Sequence, residues 1–193
     1  TPKLCPCGVQ GPVKMNPGFG TPALFVPAGP VDPEISFISV QSAEGKPLAL
    51  LANYSLHYVG GGRPNTISAD YFAMFAERIG ELLQTAGQDP PFVGIMTNGT
   101  SGDVNNNNVQ ATERKRYPPY GKMRVVADEA AAAVHEQLQN VKYSDWVPLG
   151  ARFTEIPLAV RKPDKKLQAW AKEVLARPED APQDHVRERI YAQ

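Results

Sequence analysis

Residues 47–56 (PLALLANYSL) and 91–97 (PFVGIMT) are two apolar runs of strand length. Between them, residues 69–85 carry Phe72, Phe75, Ala76, Ile79 and Leu83 at helical spacing. Strand, helix and strand in that order leave few topologies open. The helix has to carry the chain back across the sheet, so the second strand lies parallel to its neighbour. Upstream, residues 35–42 (ISFISVQS) alternate and are rich in β-branched side chains, and the short AEGK link predicts a hairpin with residues 47–56. A second helix is expected over 122–140, with Val126, Ala130, Val134 and Leu138 on one face. Residues 146–160 read as a further strand region. An amphipathic helix over 165–176 would turn Leu167, Trp170, Val174 and Leu175 inward, and a last helix would begin near Asp184. The fold class expected is therefore α/β, a mixed sheet with packed helices.

With 193 residues, 42% of them hydrophobic and 21% charged, the chain can bury a core. Twenty basic residues balance twenty acidic ones, so no global field favours nucleic acid. No apolar run approaches the roughly 18 residues of a transmembrane helix. Nineteen prolines and sixteen glycines call for long loops, and residues 1–34 are expected to lie as an extended segment over the core. One domain is expected over 1–193, with an α/β core at 35–160 and peripheral helices at 161–193. The first residue is Thr1 and the last, Gln193, falls inside a helical pattern. The expectation is an incomplete portion of a larger catalytic domain, inactive by itself. Cys5 and Cys7 sit too close for an unstrained bridge, and C-x-C is not a zinc pair, so two free or otherwise paired thiols are expected.

Ligands in open α/β folds bind at the carboxyl ends of strands. Two loops meet that rule. One follows Leu56 and holds His57, a triple glycine, Asn65 and Asp70; the other follows Thr97 and holds Asn98, Asp103 and a run of asparagines. Ser68 is the expected N-cap of the helix between them, and Gly87 its C-cap. An imidazole at the end of an apolar strand can bind a metal or move a proton. It can equally be a histidine hydrogen-bonded at a strand end. His135, inside a helix, and His185, in a charged stretch, read as structural or solvated. A catalytic zinc takes about three protein ligands, more than one histidine supplies. The D-x-N-x-N pattern at Asp103 is not an EF-hand, because Asn108 stands where the glycine belongs and Arg114 where the bidentate glutamate belongs. No G-x-S-x-G elbow and no Walker-type lysine are present. Of the two sequons, Asn53 is expected to be buried in its strand and Asn98 to serve the loop.

The stretch LLANYSLHYVGGGRPNTISADYFAMFAERI resembles the zinc-ligand region of the neutral/alkaline non-lysosomal ceramidase family. In that family a histidine ends a strand, an asparagine follows a polar loop, and a Ser/Asp pair opens a helix. The equivalents here are His57, Asn65, Ser68 and Asp70. The stretch FVGIMTNGTSGDVNNN resembles the same family's later strand and G-D-x-S-P-N loop, with Gly102, Asp103 and Asn107 matching. NPGFG and VDPEI upstream are also similar, and the likeness covers roughly residues 11–110.

The resemblance implies a secreted or periplasmic hydrolase of lipid metabolism that cleaves an amide bond with a single zinc. His57 would be one zinc ligand, and the others would lie outside this chain. Asn65, Asn98, Gly102 and Asn107 would contact a small-molecule or lipid-like amide substrate, and Asp103 would hold the loop. The family's loop serine is replaced by Asn105 and the following proline by Asn106. An amide cannot act as a hydroxyl nucleophile, but it can donate to an oxyanion. That points away from ceramide itself and toward a related amide or ester hydrolase with a zinc-bound water as nucleophile and Asn105 as the donor. A non-catalytic relative that binds a ligand or carbohydrate is the alternative.

Overall fold

The computed structural model describes residues 3–4, 10–11, 18–20, 29–102, 104–160, 162–184 and 187–193. Cys5, Cys7, Asp103 and His185 lie outside the described residues. The chain divides into two compact units, Thr1–Trp146 and Val147–Gln193.

In the first unit, β1 (Lys3–Leu4) and β2 (Gln10–Gly11) form a two-residue antiparallel ladder. The main sheet has the order β3-β4-β5. Strands β3 (Ile35–Gln41) and β4 (Pro47–Tyr54) pair antiparallel through the expected hairpin. Its turn is closed by Ser42 N donating to Lys46 O at 2.8 Å. Gly45 sits there at φ +83, a conformation that disfavours any side chain. Strand β5 (Val93–Asn98) pairs parallel with β4, with Ala52 opposite Met96. Helix α1 (Asp70–Leu82) makes the crossover, and α2 (Gly121–Leu138) packs beside it. The α/β class and the mixed sheet expected from the sequence are what the chain forms.

The core lies on one face of this sheet. Leu50, Ala52 and Met96 point into it, and α1 meets them with Tyr71, Phe75 and Ile79, each fully buried. Met123, Ala127, Ala131 and Val134 of α2 complete it. Small residues let the layers come close. A Cβ at Gly94 would lie 2.8 Å from Ala76 O, so the backbone of α1 rests directly on β5.

On the opposite face, Ile38 is 65% exposed and Leu51 40%, with Val40, Val93 and Ile95 beside them. This corrects the expectation for Asn53. The strand buries alternate residues only, and Asn53 faces outward, donating to Thr97 Oγ1 at 2.9 Å.

Helix α1 ends earlier than its apolar pattern predicts. Gln84 takes a left-handed φ of 56°, and Thr85 bonds Gly80 O through both N and Oγ1 at 3.1 and 3.0 Å. Gly87, the expected C-cap, lies beyond this stop. Ser68 Oγ does accept the first helical N–H, that of Asp70, at 3.0 Å, although Ala69 holds the N-cap position.

In the second unit, α3 (Lys165–Ala176) forms over the expected span and is capped by Asp164, which accepts from Leu167 N at 2.7 Å. Only Val174 of its apolar residues is buried; Leu167 and Leu175 are exposed. Helix α4 (Glu188–Ala192) begins later than Asp184. Glu188 is buried and accepts from Asp184 N at 3.1 Å and Arg177 Nη1 at 3.4 Å. Residues 146–160 form no strand. Alternation supplies an apolar edge, but a strand also needs a neighbour for its backbone, and this segment pairs with none among the described residues.

Candidate functional site

At the end of β4 and past it, through Ser55, Leu56, His57 and Tyr58, alternate carbonyls are taken largely by side chains. Tyr54 O accepts from Gly99 N and from Asn98 Nδ2, both at 3.0 Å. Leu56 O accepts from Asn98 Nδ2 at 2.8 Å and from the Tyr71 hydroxyl at 2.9 Å. Tyr58 O accepts from Asn106 Nδ2 at 2.9 Å. His57 is therefore held on one side by Asn98, the last residue of β5, and on the other by Asn106 in the loop after it. The two strand-end loops meet closely enough that a Cβ on Gly99 would collide with Ser55 Oγ.

The glycine-rich loop after His57 is fixed from the helix side. Asp70 carboxylate oxygens accept from Val59 N at 2.9 Å, Gly60 N at 2.7 Å and Tyr71 N at 2.8 Å. Asp70 itself adopts φ 55°, which short acidic side chains tolerate better than most. Tyr120 holds the far part of the loop, with its N–H on Gly61 O at 2.9 Å and its hydroxyl 3.0 Å from Thr66 Oγ1.

His57 is half-buried. Its Nδ1 lies 3.3 Å from Tyr58 O, and its ring packs on Tyr58 at 4.2 Å between centroids. With the proton on Nδ1 and directed at that carbonyl, Nε2 is the nitrogen left to act as a ligand or base. Among the described residues no group of three His, Cys, Asp or Glu side chains could hold a metal ion. His57 fits zinc as a single ligand, and the described residues do not complete a set.

The asparagine run orders itself. Asn105 Oδ1 accepts from Asn107 N at 2.9 Å and Asn107 Nδ2 at 3.0 Å. With Oδ1 accepting, Nδ2 is the donor end of the Asn105 amide. Asn106 and Asn107 in turn offer their Oδ1 atoms to Lys122 Nζ, at 2.6 and 2.8 Å. Burial, and next the charge of Arg114, hold the Lys122 pKa below the ordinary lysine value.

Of the expected site residues, His57, Asn98, Asn105 and Asn107 belong to this connected arrangement. Asn65 does not. It stands exposed at φ 59°, and no described hydrogen bond joins it to His57 or to the asparagines. Gly102 is exposed with open space around it. Three residues that tie the site together have no part in the sequence reading of the site, Tyr71, Tyr120 and Lys122, and Asn106 enters it only as the replacement for the family's proline. Tyr71 directly follows Asp70 and lies i−4 from Phe75, a signal that was available. Lys122 reads simply as the first residue of a helix.

No family model matches the chain, and neither a curated protein nor a solved structure does.

Proposed function

We propose that this chain carries part of the active centre of a zinc-dependent hydrolase of an amide or ester bond, similar to the neutral/alkaline ceramidases. A small-molecule or lipid-like amide is the substrate class, and the location is secreted or periplasmic. The observation that supports this most is the clamp on His57. Asn98 binds the carbonyl before it and Asn106 the carbonyl after it. Two loops that resemble one family's metal loop and catalytic loop thus lie side by side. Fixing both flanking carbonyls limits the directions the imidazole can take, which a ligand or base requires.

In this reading His57 presents Nε2 as one ligand, and the other ligands come from outside the chain. Bound zinc would supply Lewis acidity and a nucleophilic water at neutral pH. Asn105 Nδ2 donates to the substrate carbonyl oxygen as negative charge develops on it. Asn98 and Asn107 contact the substrate, and Asp70 and Tyr71 hold the two loops in register and take no direct part.

Zinc content of the full-length protein tests this reading. About one zinc per chain is expected, lost together with activity in His57→Ala. A His57→Ala protein with undiminished zinc and activity refutes it. Ligand binding by a full-length protein that takes up no zinc identifies a binding module instead.

A further inference from the structure

Lys122 stands in the first turn of α2, and its ammonium is held by two neutral groups, Asn106 Oδ1 at 2.6 Å and Asn107 Oδ1 at 2.8 Å. Amide oxygens fix a cation without cancelling its charge. A carboxylate at either position would fix the same loop and neutralise it. The ion pairs among the described residues lie elsewhere, at Arg78, Arg124 and Arg177. An ammonium has three N–H donors, and the two asparagines occupy two of them. A second cation adds to the local field. Arg114 is exposed, has its guanidinium carbon 6.0 Å from the Phe19 ring centroid, and is close enough to act on Lys122 electrostatically. Two like charges with no acidic partner among the described residues disfavour each other, and an anion bound at Lys122 relieves the conflict.

We propose that Lys122 and Arg114 form a recognition position for the phosphate or sulfate group of a small ligand, at the edge of the asparagine loop. Lys122 donates its third N–H to an anionic oxygen, and Arg114 contributes charge and further donors. The position does not depend on zinc at His57, so it stands or falls separately from the hydrolase reading.

Titration of the whole chain with inorganic phosphate and with sulfate, followed by backbone amide NMR, is the test. Saturable shifts centred on Asn106, Asn107 and Lys122 are expected, weakening as sodium chloride is raised. Lys122→Met should weaken phosphate binding by about tenfold or more and Arg114→Met by about threefold or more, while Lys122→Arg stays within about threefold of wild type. Lys172→Met, at an exposed site on α3, should bind as wild type does. Wild-type affinity in Lys122→Met overturns the proposal. If Lys122→Met fails to fold, the exposed Arg114 carries the test, and wild-type affinity in Arg114→Met overturns it. Vesicles with and without anionic phospholipid separate the ligand sources. Binding to anionic vesicles without binding of free phosphate or sulfate also overturns it.

Discussion

The Tyr71 hydroxyl, in the first turn of α1, donates to the carbonyl of Leu56 at 2.9 Å, one residue before His57. The ring is fully buried, so this bond joins the core to the site. Burial is the main reason the phenol pKa lies well above its usual value, with Tyr54 and Asp70 adding to it. A folded-state pKa raised in this way favours the protonated form. Its contribution is complete below the unfolded value near 10 and is lost as pH climbs from there toward the folded pKa. Tyr71→Phe keeps the ring and removes the bond. It should lose about 0.5–1.5 kcal/mol at neutral pH, because Asn98 still satisfies Leu56 O. Urea denaturation at pH 7 and above pH 10 checks both points. The gap between wild type and Tyr71→Phe should shrink or reverse at the higher pH; a constant gap would mean that the phenol does not couple to folding.

Asp70 gathers three backbone N–H groups around one carboxylate. Asp70→Ala leaves the amides of Val59 and Gly60 without that acceptor. A loss of about 1.5–3 kcal/mol is expected, with Asp70→Asn losing less because it keeps an oxygen and tolerates the left-handed backbone. Hydrogen exchange localises the effect. Faster exchange at Val59 and Gly60, with the sheet unchanged, is the expected pattern.

Gly94 has no room for a methyl group, since the nearest atoms, Ala76 O at 2.8 Å and Ala76 Cα at 3.0 Å, are helix backbone that cannot rotate away. Gly94→Ala should destabilise by about 1–3 kcal/mol, and thermal melting would show it. Gly102→Ala is the contrast, because open space surrounds that position and no steric penalty is expected.

Asn105 Oδ1 accepts from Asn107, and Nδ2 is the donor end of the same amide. If it donates to a developing oxyanion, Asn105→Ala lowers kcat by about 10²–10³ with little change in KM. The steady-state constants of the full-length protein decide this. An unchanged kcat would make Asn105 a loop-ordering residue only.

The layered core was legible in the sequence because periodicity is a local signal. Phe75 and Ile79 mark the inner face of α1, and Leu50 and Ala52 the inner face of β4. Whether a stretch finds a partner is not local, and there the reading failed. Residues 146–160 alternate as a strand does, yet Leu149, Phe153 and Leu158 are largely exposed. Within the site, loop composition and strand-end position located His57, Asn98, Asn105 and Asn107. The hydrogen bonds from Asn98 and Tyr71 to Leu56 O, from Asn106 to Tyr58 O and from Lys122 to Asn107 join residues distant in sequence, and no residue pattern reports such pairings.

The parallel pairing of β4 with β5 has a consequence for the order of assembly. The β3–β4 hairpin closes across one tight turn, whereas Tyr54 and Asn98 are separated by 44 residues. Loop-closure entropy opposes such a distant contact until much of the chain is already ordered. The hairpin and α1 can gain structure early, but the bonds from Asn98 and Asn106 that flank His57 exist only once β5 has docked. The clamp on His57 is therefore a tertiary feature that neither the hairpin nor α1 can form without β5.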